Sequence, residues 1–238
     1  MSQVIATDIV VEFPIYGAQS RSLKTTFIRA ATGGILARDA AQRVVVRALS
    51  NVSFSFKEGD RVGILGHNGS GKSTLLRVIV GAYEPTRGTI NVQGKVASML
   101  SIAVGMEAEA TGLENIHLRG TVMGLKPREI AAMTSGIAEF SELGDYLHMP
   151  LRTFSSGMYM RLAFAISTSV PADIIVMDEW LSVGDTSFYE KAQQRLREMI
   201  GRSKMLFLAS HDENLIRKNC NIMMRLNHGE MISLERLD

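Results

Sequence analysis

The chain has 238 residues, a 46% hydrophobic share, a formal net charge of +2 and one cysteine, Cys220. The length and apolar share suit one large domain with a sizeable core; the mild charge argues against a nucleic-acid surface, and a lone cysteine excludes an internal disulfide and suits a reducing compartment. Met1 to Val11 has neither a basic start nor a long apolar run, and the longest uncharged stretches, Val96–Met106 and Leu162–Ala172, reach only half of the roughly twenty residues a membrane-spanning helix needs.

Val44-Val45-Val46 and Val52-Ser53-Phe54-Ser55-Phe56 read as strands; the second alternates, and Lys57-Glu58-Gly59-Asp60 supplies its turn. Next come an apolar strand, Val62-Gly63-Ile64-Leu65, a glycine-rich turn and a helix opening at Leu75. Glu84-Pro85-Thr86-Arg87-Gly88 is a turn before a strand at Thr89-Ile90-Asn91-Val92. From about Met99 to Ile166 the pattern is mostly helical, broken at Pro127 and Pro150. Two buried-type strands follow, at Asp173-Ile174-Ile175-Val176-Met177 and Lys204-Met205-Leu206-Phe207-Leu208, with a charged helix from about Ser187 to Ile200 between them. Strand–helix–strand with apolar strands is the pattern of a parallel sheet, so the fold class is α/β. A hairpin over Ile222 to Ile232 turns on Asn227-His228-Gly229.

The turn after Leu65 reads Gly66-His67-Asn68-Gly69-Ser70-Gly71-Lys72-Ser73-Thr74, a Gly-x-x-x-x-Gly-Lys-Ser pattern between strand and helix. Its glycines let backbone N–H groups converge on a phosphate, and the dipole of the following helix adds positive charge at the same point. Lys72 is placed to reach the β- and γ-phosphates, and the Ser73 hydroxyl to bind Mg²⁺. The pattern predicts a nucleoside triphosphate site. A second constellation is the strand ending in Asp178-Glu179. Ligands of open α/β sheets sit at the carboxyl ends of strands. There Asp178 would hold Mg²⁺ and Glu179 would polarise an attacking water. A third is Phe154-Ser155-Ser156-Gly157-Met158 at the start of a helix running to Ser169. Alone it reads as a helix cap, although the same residues also form an anion site.

Taken in order, these motifs resemble the nucleotide-binding subunit of an ATP-binding cassette (ABC) transporter. The resemblance covers nearly the whole chain and implies a P-loop NTPase fold. It comprises a RecA-like core with N-terminal antiparallel β strands, about 1–98 and 166–238, and a helical signature subdomain, about 99–165, in a single domain over 1–238. It further implies ATP and Mg²⁺ as ligands. Gly66 to Thr74 would bind phosphate, Ser73 and Asp178 the metal, and Glu179 with the switch histidine His211 would form the catalytic pair. Ser155, Ser156 and Gly157 would reach the nucleotide of a second copy, and Asp185 would stand in the D-loop. Tyr16 would stack on adenine, with Phe13 behind it. The implied partners are a second copy of the chain and a separate transmembrane permease, at the cytoplasmic face of the inner membrane.

Within the family, Ser155-Ser156-Gly157-Met158-Tyr159 departs from the commoner Ser-Gly-Gly-Gln. Together with Thr111-Gly112-Leu113-Glu114-Asn115-Ile116 and Asp178-Glu179-Trp180-Leu181-Ser182-Val183-Gly184-Asp185, it resembles the branch that exports lipid-linked polysaccharides: O-antigen, capsule and teichoic acid. The glutamine usual after the strand that opens the helical insert is absent near Ser101-Ile102. Gly17 to Ala41 carries Arg21, Lys24, Arg29 and Arg38, and suits a cover over the nucleotide, a face toward anionic lipid or a solvated excursion. Two other classes are disfavoured. A cassette ATPase acting on nucleic acid or the ribosome usually has two cassettes or a long coiled coil. A non-hydrolysing binding module would be expected to lose Lys72, Glu179 or His211, and all three are present.

Overall fold

Residues without a polar neighbour to turn toward water must be covered on both faces, and the three apolar stretches that end at the predicted site obey this. Ile174 to Met177, Met205 to Ala209, and Val62 with Ile64 are all at most 1% exposed. The computed structural model describes residues 1–15, 36–38, 44–100, 102–179 and 186–237. These form two units, Met1–Val96 with Asp173–Trp180 and Lys204–Asp238, and Ala97–Ala172 with Leu181–Ser203.

In the first unit, β1 (Gln3–Pro14), β2 (Leu36–Arg38), β3 (Val44–Lys57) and β5 (Arg87–Gln93) form an antiparallel sheet in the order β2-β3-β1-β5. The two strands expected at 44–46 and 52–56 are one continuous strand. Asn51 at φ 50° kinks it between them, which hides its continuity from a periodicity reading. Its alternation holds: Val52, Phe54 and Phe56 are buried, and Phe56 meets Phe207 edge-on at 5.7 Å.

The second sheet runs β10-β9-β4-β8-β7-β6, with β4 (Arg61–Leu65), β6 (Val96–Ser98), β7 (Ile174–Asp178), β8 (Met205–Ser210), β9 (Ile222–Asn227) and β10 (Glu230–Arg236). β9, β4, β8 and β7 are parallel neighbours, and β10 closes an antiparallel hairpin with β9. α1 (Lys72–Ile79) follows β4 in the chain, and the helix Glu213–Asn219 packs against β4. A Cβ at Gly63 would lie 2.2 Å from Ile216 Cγ2, so glycine is what permits that approach. Cys220, just after the helix, is buried, and burial pushes its thiol up to about 12, so it stays protonated and inert at neutral pH.

The second unit holds α2 (Gly112–Val122), α3 (Pro127–Ser141), α4 (Ser156–Ser167) and α5 (Thr186–Arg202), which makes the helix Glu213–Asn219 α6. Thr111 and Glu114 form a reciprocal capping box at the start of α2, and Pro127 opens α3. The expected helix from Ser155 to Ser169 stops at Ser167, where the Thr168 and Ser169 hydroxyls turn back onto the carbonyls of Phe164 and Ala165. The core of this unit is a ring cluster in which Phe140 lies 5.4 Å from Phe188 and 6.2 Å from Phe164. No helix among the described residues is long and apolar enough to cross a membrane.

Candidate functional site

In the first unit, β4 ends at Leu65 and α1 starts at Lys72, and the predicted loop fills the gap. Gly71 caps α1 at φ 104°, ψ 0°, a conformation that aims the first N–H groups of the helix into the loop. Lys72 is folded back, its Nζ donating to the carbonyls of Gly66 (2.7 Å) and His67 (3.0 Å). A fully buried hydroxyl, Ser70 Oγ, has no hydrogen-bond partner. Buried donors left unmade cost about 1–3 kcal/mol, and an anion oxygen in the loop would supply the missing acceptor. A buried hydroxyl without a partner, a helix N-terminus and a lysine all belong to this loop, and all three fit a phosphate.

The acids arrive by sheet pairing. β7 and β8 run parallel with Asp178 opposite Ala209, so both strands deliver their last residues to the same edge. The Ser73 hydroxyl donates to the Asp178 carboxylate. Two hard oxygen donors therefore stand side by side, as magnesium requires. Glu179 has turned out of the strand into left-handed backbone, φ 64°, while its N–H still donates to Ala209 O at 2.8 Å. A non-glycine residue there is costly and clusters at functional sites. Its Oε1 accepts a hydrogen bond from His211 Nδ1 at 2.8 Å. Both side chains of this pair are open to solvent, at 59% and 68% exposure, so water and ligand have access.

The structure thus brings together Gly66 to Thr74, Asp178, Glu179 and His211. In the second unit, Ser155, Ser156 and Gly157 stand at the N-terminus of α4, the two serines exposed. Ser155 Oγ accepts from Met158 N–H at 3.2 Å, so the cap reading of that motif holds. Tyr16, Asp185 and Ser101 lie outside the described residues.

Sequence reasoning missed the part played by the last hairpin. Its turn, with His228 at φ 47° and Gly229 at φ 82°, presses against the phosphate loop. Gly229 N–H donates to Ser70 O (2.9 Å) while Gly229 O accepts from Ser50 N–H (2.9 Å). His67 Nδ1 donates to its neighbour's carbonyl, Asn68 O, at 2.7 Å, and Nε2 faces the side-chain amide of Asn227 at 2.9 Å. The Asn-His-Gly turn is legible as a hairpin signal, but nothing local in it names the loop it supports.

A sequence profile of the family described as "ABC transporter" matches residues 49–182. The O-antigen export system ATP-binding protein RfbE of Yersinia enterocolitica is 42% identical over 238 residues, which is 100% of this chain and 99% of that protein. The O-antigen export system ATP-binding protein RfbB of Myxococcus xanthus is 36% identical, covering 96% of this chain and 52% of its own length. The teichoic acids export ATP-binding protein TagH of Listeria monocytogenes is 40% identical over 77% of this chain and 55% of its own length. The chain therefore spans nearly all of the first relative and about half of the other two. Among solved structures, the ATP-binding cassette MJ0796, a dimer in a post-hydrolysis state bound to ADP and Pi, superposes with a TM-score of 0.70 at 21% identity, covering 99% of both chains. That likeness shows the fold.

Proposed function

Since the chain belongs to the ABC transporter family and is one of its ATPases, we propose that it powers export of a lipid-linked polysaccharide, of O-antigen, capsule or teichoic-acid type, through a separate transmembrane permease at the cytoplasmic face of the inner membrane. The observation that carries the substrate class is the end-to-end 42% identity with RfbE, reinforced by TagH, whose named cargo is a second polymer of the same kind.

The site geometry supports a hydrolytic mechanism. ATP phosphates would lie in the loop from Gly66 to Thr74, with the Ser70 hydroxyl donating to one oxygen. Lys72 Nζ would exchange the Gly66 and His67 carbonyls for the β- and γ-phosphates. Ser73 and Asp178 would hold Mg²⁺, which when bound neutralises charge on the phosphate oxygens. Glu179 would take a proton from a water as the water's oxygen attacks the γ-phosphorus. The bond to the bridging oxygen breaks, ADP leaves with that electron pair, and the proton rests on Glu179. His211, bonded to Glu179 through Nδ1, would hold that carboxylate toward the attacking water. In this reading residues 1–238 form one nucleotide-binding domain with a RecA-like core and a helical signature subdomain. Two copies close on two ATP molecules, each lending Ser155, Ser156 and Gly157 to the other's nucleotide, with Asp185 in the D-loop and Tyr16 against adenine.

The test is made in the source cell by replacing the chain with its Glu179→Gln form and locating the lipid-linked polysaccharide. Accumulation on the cytoplasmic side with loss of surface glycan is expected; normal surface glycan sinks the export reading. A milder change probes the hairpin. Asn227→Ala should raise the ATP concentration for half-maximal hydrolysis about 3–10-fold and leave the maximal rate within about twofold, because it loosens the loop in ground and transition states alike. An unchanged half-saturation point would show that the amide does not support the loop.

A further inference from the structure

Residues 102–110, between β6 and α2 in the second unit, form neither helix nor strand, yet two helices hold their backbone. Asn115 on α2 is fully buried; its amide donates to the carbonyls of Glu107 (2.9 Å) and Ala110 (3.2 Å) and its oxygen accepts from Glu107 N–H (2.7 Å). One turn on, Arg119 is 6% exposed and donates to the Val104 carbonyl and to Ser167 Oγ. From α4, the Tyr159 hydroxyl donates to the Ala103 carbonyl at 3.0 Å. Adjacent carbonyls, 103 and 104, are therefore tied to different helices.

Packing alone does not account for this arrangement. Arg119 has no carboxylate partner among the described residues, and its Nε is buried without a hydrogen bond. Burial disfavours its charge, and an apolar side chain would fill the same space without that cost. The loop it holds shows Val104 to solvent at 68% exposure, so a clamped backbone presents an apolar side chain outward. Tyr159 stands one helical turn from Ser155 and Ser156, the residues proposed to meet a nucleotide. A shift or rotation of the start of α4 must either carry the Ala103 carbonyl with it or break that bond.

We propose that Tyr159 is a positioning residue that conveys movement of Ser155 and Ser156 to residues 102–106, with Asn115 on α2 as the anchor of residues 107 and 110. This rests on the ATPase reading above. Under it, the hydroxyl is a tether: α4 moves when nucleotide is gripped, the Ala103 carbonyl follows, and Val104 is displaced while Asn115 holds Glu107 and Ala110 in place.

Amide hydrogen exchange of the purified chain carrying Glu179→Gln, with and without MgATP, provides the test. With ATP, exchange should slow by about tenfold at 66–74, at 155–160 and at 102–107. Adding Tyr159→Phe, which removes one hydroxyl and keeps the ring, should preserve the slowing at 66–74 and 155–160 and reduce that at 102–107 to less than about twofold. Thermal unfolding within a few degrees of the parent separates this from loss of fold. Equal protection at 102–107 with and without the hydroxyl overturns the inference. Protection at 66–74 and 155–160 but not at 102–107 in the parent also overturns it and leaves the ATPase reading standing. No protection anywhere overturns both.

Discussion

Glu179→Gln should lower ATP turnover by roughly 10²–10⁴-fold, the range for a lost general base, while nucleotide affinity stays within about twofold. The amide keeps the shape of the carboxylate and still offers an oxygen to His211 Nδ1, so the 2.8 Å contact and the left-handed turn at φ 64° survive. What it loses is the capacity to take a proton from water. In the proposed mechanism binding depends instead on Gly66 to Thr74 and Asp178, none of which the change touches. Single-turnover hydrolysis alongside equilibrium binding separates the two; turnover at the parent rate would remove Glu179 from the mechanism.

Gly71→Ala should be strongly damaging to the loop. At φ 104° an L side chain is strained, and its Cβ would lie 2.7 Å from Ala48 O and 3.4 Å from Gly229 Cα. The Ala48 contact is with backbone, so no side-chain rotation relieves it, and Leu49 Cδ2 crowds the same Cβ at 3.0 Å. A loss of about 3 kcal/mol or more is expected, summing left-handed strain with a rigid clash. ATP affinity should fall by at least about 100-fold, because relief of the clash requires the loop to move away from the strand and hairpin that shape it. Gly81→Ala is the control: its φ is 81°, but nothing lies within 4 Å of its Cβ. It should cost only the left-handed term, about 1–2 kcal/mol. Equal losses of melting temperature in the two variants would mean that the loop absorbs the contact.

The phosphate loop was legible because its chemistry is local: strand, glycines, lysine and helix are consecutive in the chain. Asp178 and Glu179 were legible for the same reason, as acids ending an apolar strand. That Glu179 meets His211 follows from β7 pairing with β8, which no local pattern states; the resemblance to the family supplied it. Asn227 and Gly229 were read correctly as a hairpin turn, yet their hold on Ser70 and His67 depends on β9 lying beside β4, a long-range choice of strand order. The break expected between Val46 and Val52 was a kink at Asn51 inside a single strand, because positive φ interrupts alternation without ending the pairing.

The strand order also imposes a timetable. β4 precedes the loop and is made early, but the two strands that flank it, β8 at Met205–Ser210 and β9 at Ile222–Asn227, come late in the chain. At about 5–20 residues per second, a ribosome needs roughly ten seconds or more to reach them after β4 emerges. For that interval Val62, Ile64 and Leu65 have neither parallel neighbour, and the phosphate loop lacks the turn that braces it. The proposed nucleotide site is completed only once β8 and β9 have been made. Until then β4 is an apolar strand without its partners, and unpaired strand edges of that kind are what chaperones cover.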